Sequence, residues 1–225
     1  GIATNNIDPN SISTIEVLES HQDIKALKDL KPEERASINL KLKSGVKGVF
    51  NLIATLGGGY DDKQLWDNEL IATYFQRNSQ LLATYKGNNS GSDLEIELRS
   101  FDDYDYSRTS TISDIAMPAT PGINKRYYYF NQSHSTTYNQ VFRVGRNGEL
   151  GINAAYLNDR DERSNQSITT TLLPDGTKNV VDERFNGTLQ SNIANGNITY
   201  MQNTEKKYIK EQLKFDWLST DGHSN

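Results

Sequence analysis

The stretch Lys207-Tyr208-Ile209-Lys210-Glu211-Gln212-Leu213-Lys214-Phe215-Asp216-Trp217-Leu218 decides the fold class. Ile209, Leu213, Phe215 and Trp217 alternate with Lys210, Gln212, Lys214 and Asp216. Successive side chains of an extended strand point to opposite faces, so this period of two gives one apolar and one polar face. Glu211 falls on the apolar side and interrupts it.

Working outward, the same alternation recurs. Leu150, Ile152, Ala154 and Tyr156 share a face within Glu149 to Asn158, and Leu70, Ala72 and Tyr74 do so within Leu65 to Gln76. Further strands are expected at Val49 to Tyr60, Gln80 to Lys86, Tyr138 to Gly145 and Phe185 to Gln202. In the last of these the phase changes from Leu189 and Ile193 to Ile198 and Tyr200, and Gly196 predicts a bulge at the change.

The connections fall into two classes. Gln76-Arg77-Asn78-Ser79, Gly145-Arg146-Asn147-Gly148 and Asn203-Thr204-Glu205-Lys206 are rich in residues that tolerate tight hairpin geometry. Residues 87 to 135 and 158 to 185 are polar and read as long excursions. Alternation alone does not separate a membrane wall from a soluble sandwich. One tight rim and one long rim is the arrangement of an outer-membrane barrel, whose periplasmic turns are short and outer loops long. Tyr74, Tyr156, Tyr200 and Trp217 stand where interfacial aromatics would, or where ordinary sheet aromatics would.

Residues 1–46 have a different character. Ile12, Ile15, Val17 and Leu18 fit a short helix or strand, Ile24, Leu27 and Leu30 follow a helical spacing that Pro32 ends, and Ile38, Leu40 and Leu42 alternate as a strand. Helix is expected mainly within residues 10 to 35, and the strand repeat fills residues 47–225.

Composition agrees with many polar-faced strands: 35% of the 225 residues are hydrophobic and Cys is absent. Mean hydropathy is −0.71. A net charge of −5 without a Lys or Arg stripe argues against nucleic acid as a partner. No apolar run approaches the roughly 20 residues of a membrane helix, which leaves barrel strands untouched because they alternate.

Catalytic and metal chemistry finds little to stand on. His21, His134 and His223 are far apart in sequence, with no ligand-spaced pair, so neither a zinc site nor a Ser-His-Asp triad is expected. Asp102-Asp103-Tyr104-Asp105 and Asp159-Arg160-Asp161-Glu162 lack the spacing of a calcium loop and read as solvated loops. Gly57-Gly58-Gly59 lacks the Lys and Ser or Thr of a phosphate loop. Sequons at Asn88, Asn131, Asn165, Asn186 and Asn197 follow from the high Asn and Ser content. The aromatic run Tyr127-Tyr128-Tyr129-Phe130 is the candidate ligand contact, with Tyr127, Tyr128 and Tyr129 as its residues, since stacked rings suit sugars and cofactors.

Ordered words along the chain carry a resemblance. They are Ser13-Thr14-Ile15-Glu16-Val17-Leu18-Glu19, His21-Gln22-Asp23-Ile24-Lys25-Ala26-Leu27, Ala36 to Lys43, Gly57-Gly58-Gly59, Leu65-Trp66, Tyr85-Lys86-Gly87-Asn88-Asn89, Pro121-Gly122-Ile123 and Tyr156-Leu157-Asn158-Asp159-Arg160. In that order they resemble the TonB-dependent outer-membrane receptors of Bacteroidetes. The resemblance implies a mainly β fold in which residues 1–46 are a short α/β end of a plug domain and residues 47–225 are the first antiparallel strands of an incomplete barrel. It implies a non-enzymatic protein of the cell outer membrane, without a bound cofactor or metal, that imports a scarce glycan, metal chelate or cofactor. Its partners would be the TonB complex through other parts of the protein, membrane lipid and a surface lipoprotein. A piece of such a wall has unpaired edges and is expected to self-associate. The alternative reading is a soluble β-rich binding or adhesion module of the cell surface.

Overall fold

The computed structural model describes residues 12–18, 37–42, 48–94, 117–118, 122–124 and 127–225. No α-helix occurs among them. A two-stranded antiparallel sheet joins β1 (Ile12–Leu18) to β2 (Ser37–Leu42), with an irregularity between Ile12 and Thr14. The ambiguous first segment is therefore a strand. The helical spacing of Ile24, Leu27 and Leu30 lies outside the described residues, and no α/β unit is seen among those described.

The rest forms one seven-stranded sheet in which every strand pairs antiparallel with its sequence neighbour. Its strands are β3 (Val49–Asp61), β4 (Lys63–Gln76), β5 (Ser79–Asn88), β6 (Phe130–Val144), β7 (Gly148–Leu172), β8 (Lys178–Asn203) and β9 (Tyr208–Ser224). The seven strands read from the alternation are all present. The sheet is not a closed barrel: its order begins at β3 and ends at β9.

Two expectations are corrected. Residues 158 to 185 are not a loop: β7 and β8 pair continuously from Gly148 with Gln202 to Leu172 with Lys178. The pattern there reads as polar because Ile168, Leu172, Val180 and Val181 are scattered among polar residues and form no sustained alternation, and cross-strand hydrogen bonding needs no apolar face. Nor is Gly196 a bulge. It pairs in register with Ala154 on one side and Phe215 on the other. The apolar phase changes because Leu189 and Ile193 lie on one face and Ile198 and Tyr200 on the other, each set with its own neighbours.

Register fixes those faces. Leu52, Ala72, Ala83, Tyr138, Ala154, Gly196 and Phe215 form one rung. The adjacent rung, pointing the opposite way, is Asn51, Thr73, Leu82, Asn139, Asn153, Asn197 and Lys214. At this level one face is aliphatic and aromatic and the other largely amide and hydroxyl, with Ile71, Leu157 and Ile193 among the apolar side chains elsewhere on that second face.

Burial is inverted relative to a water-soluble core. The apolar face carries the exposed side chains Phe50, Leu52, Leu56, Leu70, Tyr138, Tyr156, Ile198, Leu213, Phe215 and Trp217, with Leu56 76% and Leu213 68% exposed. Thr73, Asn88, Asn131, Ser133, Ser135, Asp159 and Asp161 are buried instead, on the polar face. The described parts of the β5–β6 connection cover that face: Leu94 packs with Leu157, Ala155 and Ile193, while Met117 and Pro118 lie against Gly187.

The rims differ less than the turn pattern predicts: on the rim expected to be long, the β3–β4 turn and the β7–β8 hairpin tip are tight and only the β5–β6 connection is long. Tight turns at 77–78, 145–147 and 204–207 share one rim, where Gly145 takes φ 64 and the neighbouring strands are stitched by Arg143 N to Asn78 O and Asn203 N to Asn147 O, both 2.9 Å. The other rim has the β3–β4 turn at Asp62 (φ 50), the β5–β6 connection and the tip of the β7–β8 hairpin. At that tip Thr177 donates to Asp175 from its hydroxyl and its amide, which holds the Asp175 carboxyl below the usual range.

Candidate functional site

The chain passes Asn88 at the end of β5, turns through Gly91 with φ 86, and crosses onto the polar face. Positive φ suits glycine, and here it aims the Gly91 amide at Asn131 Oδ1, 2.9 Å away. Asn88 Oδ1 accepts from the amides of Ser90 and Ser92 at 3.2 and 3.1 Å and from Asn131 Nδ2 at 2.9 Å. Asn131 Nδ2 also reaches Ser133 Oγ at 2.6 Å, and Ser133 Oγ donates to Asp159 Oδ1 at 2.5 Å. Tyr129 Oη donates to the Asp159 carboxylate at 2.6 Å.

These bonds connect β5, β6 and β7 through side chains that are almost wholly shielded from water. Asn131 and Ser133 share a face because they are two residues apart on β6, and Asp159 stands opposite Ser133 in the register. Asp161, the next inward residue of β7, is ion-paired with Arg163. Burial, the charge of Asp159 and the hydrogen bond to it push the Tyr129 hydroxyl far above the ordinary phenol range, against a smaller opposing effect of Ser133. Tyr129 is therefore a fixed neutral donor.

The acidic run at Asp159 to Glu162 is thus not a solvated loop. It is strand, with Asp159 and Asp161 buried on the polar face and Arg160 bridged to Glu162 at 2.7 Å on the other. The candidate aromatic run is divided by its position ahead of β6: Tyr127 is 76% exposed and Tyr129 only 4%. Tyr129 offers no ring to a ligand, whereas Tyr127 stays open and its amide bonds Asn124 O at 3.0 Å.

His134 belongs to a second cluster, at the outer end of the apolar face. Its ring stacks on Trp66 with centroids 5.3 Å apart, and Tyr85 Oη lies 2.9 Å from its Nδ1. Gly87 makes room for this stack, since a Cβ there would stand 2.6 Å from Tyr85 Oη and 2.9 Å from Trp66 Cζ3. His223 is on exposed β9, and His21 lies outside the described residues. Among the described residues no group of three or more His, Cys, Asp or Glu stands together as metal ligands do. Two sequons fall on Asn88 and Asn131, which are buried.

Sequence reading missed Asn88, Asn131, Ser133 and Asp159. The local pattern gave no signal: Asn158 and Arg160 flank Asp159, and Gln132 and His134 flank Ser133, so no apolar phase runs beside them. No family model, no curated protein and no solved structure matches the chain.

Proposed function

We propose that the chain is a wall sector of a TonB-dependent outer-membrane receptor, non-enzymatic, with residues 1–46 belonging to the end of its plug and residues 47–225 to its wall. The observation that carries this reading is the sorting of most large exposed apolar side chains onto one face of the sheet, while the other buries Thr73, Asn88, Asn131, Ser133, Ser135, Asp159 and Asp161 alongside Val49, Ile71 and Leu157. In water that arrangement forgoes roughly 1.5 to 3 kcal/mol for each large apolar side chain left uncovered. In a bilayer the apolar face meets acyl chains and the polar face lines the lumen.

Two further features support it. The apolar belt slides along the strands: on β3 it spans Phe50 to Tyr60, on β9 Ile209 to Trp217, although the rung that begins at Ala54 ends at Trp217. A belt of constant height behaves this way on strands tilted to the membrane normal. Second, β3 and β9 each pair on one side within the sheet, as in a sector that continues into further strands. Import of a glycan, metal chelate or cofactor, energised through TonB, would be the work of the whole receptor. The inward fold of the β5–β6 connection then narrows the lumen and presents Tyr127 as the ligand-contacting ring.

The open sheet also accommodates a second reading, a soluble cell-surface binding module whose apolar face is covered by another protein. Refolding from urea into phosphatidylcholine vesicles followed by flotation distinguishes them. A receptor wall floats with the vesicles and keeps a β spectrum. A chain that stays in the dense fraction and keeps a β spectrum is the soluble module.

A further inference from the structure

The turns at the two rims of the sheet differ in charge. Each tight turn on the first rim carries exposed basic side chains: Arg77 between β4 and β5, Arg146 between β6 and β7, and Lys206 with Lys207 between β8 and β9, against the acids Glu205 within a turn and Glu149 just past one. At the opposite rim the β3–β4 turn offers Asp61 and Asp62 beside Lys63, and the hairpin tip offers Asp175 beside Lys178. The basic turns follow directly on the apolar belt. Between belt and turns lie Tyr74, Phe142 and Tyr200, all on the apolar face by register. Aromatic rings with a polar tip favour the boundary between acyl chains and headgroups, and bases just beyond that boundary face the headgroup phosphates.

Resting on the membrane reading above, we infer that the rim formed by Arg77, Arg146, Lys206 and Lys207 is a docking surface for anionic phospholipid headgroups. Charge complementarity commits the surface to this occupant. The bases sit on turns spread across β4 to β9, so they form a row along the line where the apolar face leaves the bilayer. Each base near an anionic surface strengthens association by about fivefold, and the effect is screened within a Debye length.

The test is partitioning of the full chain into vesicles of phosphatidylcholine alone and of phosphatidylcholine with phosphatidylglycerol, followed by tryptophan emission. The expected result is at least about a tenfold preference for the anionic vesicles, lost in the variant Arg77→Gln, Arg146→Gln, Lys206→Gln, Lys207→Gln and lost at high salt in the unaltered chain. The variant should still enter neutral vesicles as well as the parent, which separates lost charge from lost folding. A control variant at the other rim, Lys63→Gln with Lys178→Gln, should keep the preference. Equal partitioning into both vesicles, or a preference that survives in the four-base variant or disappears in the control, would overturn the headgroup surface and leave the membrane wall standing. Failure to enter either vesicle would overturn the membrane wall and the headgroup surface with it.

Discussion

At the scale of single residues, Asp159 is the junction of the buried network because it accepts from both Tyr129 and Ser133. Asp159→Ala leaves those two buried hydroxyls without their acceptor, which costs about 1 to 3 kcal/mol and should accelerate exchange of the Gly91 amide. The raised Tyr129 hydroxyl gives this network a pH dependence of known sign. The folded phenol keeps its proton while the unfolded one loses it near 10.0, so the contribution is complete below that pH and falls as pH rises above it. Tyr129→Phe should abolish that alkaline loss, as read from unfolding curves at pH 9 and 11. Glycines supply a matched pair. Gly87→Ala must displace the Trp66–His134 stack and should destabilise by about 1 to 3 kcal/mol with a change in tryptophan emission. Gly59→Ala, whose nearest neighbour would be Leu65 Cβ at 3.7 Å, should leave both unchanged.

At the scale of elements, the face of a strand decides what a charge does. Leu213 points to the apolar side and Gln212 to the polar side of the same strand. Leu213→Lys should weaken vesicle insertion by about 2 to 4 kcal/mol, while Gln212→Lys should leave flotation intact. The hairpin formed by β7 and β8 beyond Ser164 and Asn186 pairs only with itself within the sheet. Replacing residues 166–184 by a two-residue turn should therefore leave the β spectrum of the remaining sheet and its insertion unchanged. Strands and tight turns were legible in the sequence wherever an apolar face alternated with a polar one, as in Ile209 to Trp217. The long ends of β7 and β8 were not, because Ile168, Leu172 and Val180 are too sparse to set a period of two and Thr169 to Thr171 looks the same in strand and loop. The Asn88–Asn131–Ser133–Asp159 network was hidden for another reason. It depends on pairings between segments far apart in the chain, and on a connection that folds back over the sheet.

At the scale of the whole molecule, the sheet carries an uncovered apolar face and two strands at its edges, β3 and β9. Without lipid it should self-associate, and a clean monomer by light scattering would count against a membrane wall. The most direct test of the central claim, that the two faces of this sheet meet different solvents, is a nitroxide scan along Ile209 to Trp217 with the chain refolded in vesicles. Labels at Ile209, Leu213, Phe215 and Trp217 should relax with oxygen, and labels at Lys210, Gln212, Lys214 and Asp216 with a water-soluble nickel chelate, in strict alternation. Equal nickel accessibility at both sets would contradict it, because the apolar face would then lie in water.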